Sequence, residues 1–130
     1  MPEANAASTT RVLVVDDNED AANSLATLLE VMGYDVRTAY DGPEGIEAAD
    51  TFHPAVALLD IGLPRLSGYD IARHVRQHLG QDVLLVAITG WGQDEDRRRA
   101  REAGFDHHFT KPADFDALLA LIDTELRQRS

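Results

Sequence analysis

The sequence predicts an α/β fold built on a doubly wound, five-stranded parallel sheet. Five short runs of β-branched and aliphatic residues alternate with segments of helical periodicity, the pattern of successive βαβ units. No stretch rich in Ser, Gly or Pro divides the chain, and its 130 residues suit one domain with a substantial core. We therefore expect a single domain with helices on both faces of the sheet.

Five strands are predicted after a polar start. Residues 1–10 are small and polar with no periodicity, and we expect a disordered lead-in before a domain that spans residues 11–128. The predicted strands cover residues 12–15, 35–39, 55–59, 84–88 and 106–110. In the doubly wound order 2-1-3-4-5, the first, third, fourth and fifth of these strands follow one another across the sheet.

Helical periodicity accounts for the segments between and after the strands. The first helix begins near Glu19 with acidic residues that suit the helix dipole, and it ends at Gly33. A turn at residues 41–43 leads into the second helix, and the fifth begins at Phe115. The fourth, near residues 93–103, is mostly charged, so we expect it to be the least firmly anchored. The apolar stripes of the first and third helices are Ala22, Leu25, Leu28, Leu29 and Met32, and Ile71, Ala72, Val75 and Leu79.

Composition argues against several function classes. The chain has no cysteine, which removes disulfides, thiolate catalysis and cysteine-ligated metal centres and is compatible with a reducing cytoplasm, where we expect the protein to work. Lys and Arg number 12 against 23 Asp and Glu, a formal charge of −11. Such an acidic surface repels phosphate backbones, so we expect no direct binding of nucleic acid. The longest apolar run, residues 83–88, is too short to cross a bilayer, so we expect no membrane insertion.

Polar side chains follow four of the predicted strands. They are Asp16 and Asp17 after the first strand, Asp60 after the third, Thr89 after the fourth and Lys111 after the fifth. Ligands of open α/β sheets bind at the carboxyl ends of the strands, and the 2-1-3-4-5 order brings these five residues to one edge. Each residue alone is uninformative, but the combination indicates a site.

The charges of this group indicate a missing cation. Two like charges about 4 Å apart repel by roughly 4 kcal/mol at an effective dielectric constant near 20, and one lysine does not offset three carboxylates. Oxygen ligands without His or Cys favour Mg²⁺. A metal ion and a lysine beside a carboxylate suit phosphoryl transfer onto that carboxylate, for which Asp60 is the candidate nucleophile.

Four motifs carry a resemblance to a known family. They are LVVDDN at residues 13–18, LLDIGLPRLSGYD at 58–70, AITG at 87–90 and TKP at 110–112. With these motifs, residues 11–127 resemble the receiver domain of two-component response regulators. The resemblance implies the flavodoxin-like receiver fold, and receivers are themselves a standard example of the 2-1-3-4-5 order.

The resemblance implies a role for most residues of the group. Asp60 would accept a phosphoryl group from a phosphohistidine, and Asp16 and Asp17 would hold Mg²⁺ directly or through water. Gly62 would offer its backbone carbonyl to the metal, and Lys111 would pair with the acyl phosphate. The phosphoryl donor would be a sensor histidine kinase or a histidine phosphotransfer protein.

The resemblance also implies a regulatory module rather than an enzyme. Thr89 would bond a phosphoryl oxygen and draw its loop inward. This movement would bias the surface formed by the fourth helix, the fifth strand and the fifth helix toward an output partner. Three positions before Lys111, where the family commonly has Tyr or Phe, this chain has His108, so it departs from the family at the aromatic switch.

Two other classes of protein fit parts of the pattern. An aspartyl-phosphate phosphatase using Asp60 would need a general acid two residues later, which Gly62 does not supply. A flavin carrier would need hydrogen-bond donors for its phosphate after the first strand, where residues 16–20 are mostly acidic. Within the receiver interpretation, both a free-standing regulator and the receiver of a hybrid histidine kinase fit, and the stretch GFDHHFTKPAD is similar to the latter.

One further pair of side chains has metal-ligand spacing. His74 and His78 are four residues apart in the third helix, a separation that places two imidazoles on one face. Because no third ligand is near them in the sequence, we interpret the pair as part of a solvated helix face.

Overall fold

The fold is that of a computed structural model, which describes residues 10–63, 66–90, 94–111 and 113–129, without the side chains of residues 94–97 and 129. Within these residues, five strands alternate with five helices. The strands are β1 (Arg11–Val15), β2 (Asp35–Ala39), β3 (Val56–Asp60), β4 (Leu84–Thr89) and β5 (His107–Thr110). The helices are α1 (Glu19–Val31), α2 (Gly42–Phe52), α3 (Gly68–His78), α4 (Asp94–Ala103) and α5 (Phe115–Arg129).

All the strands are parallel, in the order β2-β1-β3-β4-β5, which confirms the predicted fold class. Their ends differ from the predicted ends by at most one residue. The difference matters at two positions, since Asp60 pairs with Ile88 and Thr89 pairs with Thr110 in the parallel register. Both polar residues are therefore the last members of their strands, where the sheet holds their backbone in place.

Local sequence sets both ends of α1. The Asn18 side chain accepts a hydrogen bond of 3.1 Å from the Ala21 backbone N–H and so caps the first turn. At the other end Gly33 has a φ of 99°, a left-handed conformation that glycine adopts without strain, and its N–H donates to the Glu30 carbonyl. The helix itself ends at Val31, two residues before the predicted Gly33, which stops it through its left-handed conformation.

The apolar stripe of α1 is only partly buried. The contact with the sheet uses Ala22, Ala26 and Leu29, which are buried. Leu28 and Met32, which belong to the same stripe, are 46% and 52% exposed. The helix is rotated so that the small side chain of Ala26 contacts the core, which leaves part of the apolar face of α1 open to solvent.

Two apolar layers cover the sheet. In β1, Leu13 and Val15 point into the layer beneath α2, α3 and α4, whereas Val12 and Val14 point into the layer beneath α1 and α5. The central strands β3 and β4 are buried along their whole length, as expected of parallel strands covered on both faces. Over the described part of the chain, no helix combines the length and the apolar character that crossing a bilayer requires.

An arginine with a largely buried side chain joins the end of α3 to two loops. The guanidinium of Arg76 donates to the carbonyls of Gly104 (3.0 Å), Gly80 (3.0 Å) and Val83 (2.8 Å), and its side chain is 10% exposed. It also pairs with the Asp106 carboxylate at 2.9 Å. These bonds fasten the C-terminal end of α3 to the segments that lead into β4 and β5.

Candidate functional site

Three carboxylates meet at the carboxyl ends of β1 and β3. Asp16 and Asp17 follow β1, Asp60 ends β3, and the two strands are neighbours in the sheet. One carboxylate oxygen of each acid lies within 4.8 Å of the others. Asp16 and Asp60 are buried, whereas Asp17 is exposed. The structure thus brings together the three acids that the sequence places at strand ends.

Lys111 joins this group from the end of β5. Its Nζ donates to Oδ2 of Asp16 and to Oδ2 of Asp60, each at 3.1 Å, and its backbone N–H donates to the Thr89 carbonyl at 2.6 Å. Burial by itself would lower the pKa of Lys111, but the hydrogen bonds to the two carboxylates outweigh burial and raise the pKa. The side chain is therefore an ammonium at neutral pH, held between two acids.

Asp60 is held from two sides. Its Oδ1 accepts a hydrogen bond of 2.9 Å from the Gly62 backbone N–H, and its Oδ2 accepts the bond from Lys111. The carboxyl group is 9% exposed. Burial raises the pKa of Asp60, as does the nearby charge of Asp16, and the hydrogen bonds from Gly62 and Lys111 offset these effects only in part. The ionised form of Asp60 therefore gains from any further cation at the site.

Two residues position the carboxylates. The Asn18 backbone N–H donates to Oδ1 of Asp16 at 3.0 Å, so the residue that caps α1 also orients this acid. Gly68 begins α3 against the backbone of Asp60, where a Cβ would come within 2.6 Å of the Asp60 carbonyl oxygen. Sequence reasoning missed the role of Asn18, although Asn before an acidic first turn is a recognisable N-cap.

The remaining predicted residues lie at the same edge of the sheet or beside it. Thr89 ends β4 and is 3% exposed, and Gly62 lies two residues beyond Asp60 in an exposed position. His108, at the position of the family's aromatic switch, is half-buried on β5. Pro64 and Pro112 of the family motifs lie outside the described residues.

The donor set fits a hard divalent cation. The acids Asp16, Asp17 and Asp60 offer only oxygen, and no His or Cys among the described residues joins their cluster. With one ammonium among three carboxylates, the group has a formal charge of 1 − 3 = −2. Mg²⁺ binds through one or two carboxylates and keeps several waters, so these residues match its needs.

An apolar groove adjoins the charged group. It lies between α1 and α5, has a volume of about 530 Å³, and counts Asp16 and Lys111 among its lining residues. Its apolar lining consists of Ala21, Leu25, Leu28, Ile88, Ala113, Phe115 and Leu118. Leu28 is exposed because its side chain forms part of the wall of this open groove. The groove therefore places an apolar surface directly beside the carboxylate of Asp16 and the ammonium of Lys111.

Known proteins of similar sequence point to one family. The family described as response regulator receiver domain matches residues 12–123. The transcriptional regulatory protein DltR of Streptococcus agalactiae is 37% identical over 120 residues, which are 92% of this chain and 53% of DltR. The DNA-binding dual master transcriptional regulator RpaA of Synechocystis is 31% identical over 119 residues, 91% of this chain and 49% of RpaA. The chain thus spans about half the length of these relatives.

Solved structures with the same fold point to the same family. A CheY-like response regulator receiver domain from Methanospirillum hungatei superimposes with a TM-score of 0.87 at 27% identity, covering 93% of this chain and 96% of that one. A response regulator from Burkholderia pseudomallei, solved with a phosphorylated aspartic acid, a calcium ion and citrate, has a TM-score of 0.80 at 31% identity, covering 85% and 65%. With the sheet order and the family match, these results show that the chain belongs to the response regulator receiver domain family of two-component signalling.

Proposed function

We propose that residues 11–128 form a receiver domain that accepts a phosphoryl group on Asp60 from a phosphohistidine. The observation that carries the proposal is the position of one ammonium, Lys111, at 3.1 Å from both Asp60 and Asp16. A nucleophilic oxygen beside a fixed cation is suited to phosphoryl transfer, because negative charge on the phosphoryl oxygens must be offset during the reaction. The phosphorylated aspartic acid in the Burkholderia relative supports the same chemistry here.

The transfer depends mainly on position and charge. A carboxylate oxygen of Asp60 attacks phosphorus, a P–O bond forms, and the P–N bond of the phosphohistidine breaks. The electron pair of that bond returns to the imidazole of the donor, which takes up a proton from solvent. Lys111 transfers a hydrogen bond from Asp60 to a phosphoryl oxygen, and Thr89 at the end of the neighbouring strand bonds another.

Asp16, Asp17 and Asp60 would hold Mg²⁺ in this reaction, with the backbone carbonyl of Gly62 as a further ligand. When bound, the ion supplies positive charge to the phosphoryl oxygens. The contribution of the chain itself is to keep the acids together and correctly oriented. Asn18 does this for Asp16 through its backbone N–H.

The groove between α1 and α5 is the surface that we propose for the phosphohistidine donor. Leu25 and Leu28 present an apolar wall, while Lys111 and Asp16 line the same groove. A helix of a sensor histidine kinase or of a histidine phosphotransfer protein could bury apolar side chains there and direct its histidine toward Asp60. This encounter would take place in the cytoplasm.

The output that we propose is regulatory. Phosphorylation of Asp60 biases the surface formed by α4, β5 and α5 between two states, and an output partner binds one of them. The chain offers Gly62 where an aspartyl-phosphate phosphatase would need a general acid, so the acyl phosphate should persist instead of turning over rapidly.

The test is phosphorylation by acetyl phosphate and Mg²⁺, followed by intact-mass spectrometry. We expect one stable adduct of about 80 Da, the mass of one phosphoryl group, in the original chain and none in Asp60→Asn. Asp35→Asn is the matched control, since Asp35 is an exposed aspartate on β2, and it should be phosphorylated normally. An adduct in Asp60→Asn would disprove the choice of acceptor, and rapid multiple turnover of acetyl phosphate would disprove the regulatory module.

A further inference from the structure

A second group of potential metal ligands lies on α2 and α3. Nε2 of His74 is 2.9 Å from Oδ1 and 3.1 Å from Oδ2 of Asp50. The ring of His74 lies 4.3 Å from the ring of His78, centroid to centroid, with the planes inclined by 36°. The interpretation of the two histidines as a plain solvated face depended on the lack of a third ligand. The fold supplies that ligand, because α2 brings Asp50 beside α3.

We propose that Asp50, His74 and His78 bind a borderline divalent transition-metal ion of the Zn²⁺ type. Two imidazoles and one carboxylate are a donor set that Zn²⁺ takes in proteins, with the fourth position left to water. Imidazole nitrogen suits such ions, whereas Mg²⁺ and Ca²⁺ prefer oxygen. The site is therefore distinct in chemistry, as well as in place, from the carboxylate cluster at the sheet edge.

His74 and Asp50 are near enough to each other to bind one ion after a small movement. Tetrahedral ligands at the usual Zn²⁺ distances of about 2.0–2.1 Å stand about 3.3–3.4 Å apart. Nε2 of His74 and the Asp50 oxygens, at 2.9 and 3.1 Å, have the spacing of a hydrogen bond and need to separate only slightly to become ligands of one ion. On binding, the ion would replace the proton between them, and that proton would pass to solvent.

His78 completes the site by a change of rotamer. Among the described residues, only the cluster of Asp16, Asp17 and Asp60 already has three ligand atoms within 4.8 Å of one another, so the imidazole of His78 must turn from its contact with His74 toward Asp50. His78 is the last residue of α3 and is exposed, which permits this rotation between staggered rotamers. The side chains of His74 and Asp50 are 23% and 44% exposed, so an ion and its water can enter.

The site shares no residue with the phosphoacceptor site. α3 begins at Gly68, against the backbone of Asp60, and rises about 1.5 Å per residue, which places His74 about 9 Å further along the helix axis. An ion bound there would join the C-terminal halves of α2 and α3. Its binding requires none of the residues assigned to phosphoryl transfer.

The test is a titration of the untagged chain with Zn²⁺ in the presence of saturating Mg²⁺, which occupies the carboxylate cluster at the sheet edge. Calorimetry measures the affinity, and long-range ¹H–¹⁵N spectra of the imidazoles identify the histidines that bind. We expect the resonances of His74 and His78 to shift together. Affinity should fall at least tenfold in His78→Gln and in Asp50→Asn, because even outer-shell partners of metal ligands contribute about 10–100-fold. His107→Gln is the matched control, since His107 also faces a carboxylate, 3.4 Å away on Glu125, and its loss should leave affinity unchanged.

Other outcomes would overturn the proposal. If His78→Gln and Asp50→Asn bind Zn²⁺ as tightly as the original chain, the ion occupies another site, and shifts confined to other histidines would show the same. Both substitutions are at exposed helix positions, so thermal unfolding without Zn²⁺ should be unchanged. Should either variant unfold, the spectra of the original chain decide on their own, because they identify the nitrogen ligands directly.

Discussion

Replacement of Arg76 by methionine should destabilise the fold while leaving the phosphoacceptor site chemically intact. The guanidinium donates to three backbone carbonyls and pairs with Asp106, and its side chain is 10% exposed. Methionine retains much of the aliphatic length of arginine but none of its donors. The substitution therefore isolates the polar contribution of this one side chain.

The size of the effect follows from the bonds that are lost. A hydrogen bond to a charged group contributes about 1.5–3 kcal/mol, so the three bonds to carbonyls represent a gross loss of about 5–9 kcal/mol. Part of this is recovered, because in the variant no guanidinium has to be removed from water on folding. We expect the free energy of unfolding to fall by about 3–5 kcal/mol and the melting temperature by about 10–20 °C for a domain of this size.

Urea unfolding followed by circular dichroism measures the loss, with Arg73→Met as the matched control. Arg73 belongs to the same helix, and its ion pair with Asp70 is exposed on both sides, at 57% and 42% of the side chains. We expect this control to lose less than about 0.5 kcal/mol. Equal losses in Arg73→Met and Arg76→Met would refute the reasoning, since a buried group of hydrogen bonds would then contribute no more than a surface ion pair.

Three further predictions concern the site and its surroundings. Burial raises the pKa of Asp60 above its ordinary 3.8, so its contribution to the stability of the metal-free fold is present at acid pH and is lost as pH rises through the raised value. When the free energy of unfolding is measured at a series of pH values, Asp60→Asn should lack this pH-dependent contribution. A variant whose free energy of unfolding depends on pH as that of the original chain does would contradict the prediction. Gly68→Ala should cost about 1–3 kcal/mol in denaturant unfolding and slow phosphorylation by acetyl phosphate, because the new Cβ meets the Asp60 carbonyl at 2.6 Å, and a variant equal to the original in both would show that the backbone yields freely. Leu28→Glu should slow phosphoryl transfer from a phosphohistidine protein more than transfer from acetyl phosphate, whereas Val31→Glu, at a 77% exposed residue outside the groove lining, should affect neither. An equal effect of the two glutamates would rule out the groove as the docking surface.

Much of the fold can be predicted because the central strands are buried on both faces. β3 and β4 are therefore continuous apolar runs, whose alternation with helices is visible in the sequence. The exact ends of these strands are harder to predict. Asp60 and Thr89 look like loop residues because they are polar, yet backbone pairing with the neighbouring strand continues through both. The polarity of a residue indicates the surroundings of its side chain, but the end of a strand is set by backbone hydrogen bonds to the neighbouring strand.

The contacts of the site depend on distances that no pattern in the chain encodes. Strand ends and family motifs predict the participants, but they do not predict that Lys111 contacts both Asp16 and Asp60 or that Gly68 lies against the backbone. The exposure of Leu28 is not visible in the sequence for a similar reason. A helical stripe shows which residues share a face, and the width of the neighbouring surface decides how many of them are covered.

The attachment of Lys111 links the chemistry of the acids to the rim of the sheet. β5 is a four-residue strand at the outer border of the sheet, and Lys111 is the next residue after it. Its main chain is bonded to Thr89 on β4, while its side chain is bonded to acids at the ends of β1 and β3. Any ligand that attracts the ammonium must therefore act on the end of the border strand. Lys111 is therefore the residue through which a change in charge at the acids would reach the edge of the sheet beside α4 and α5.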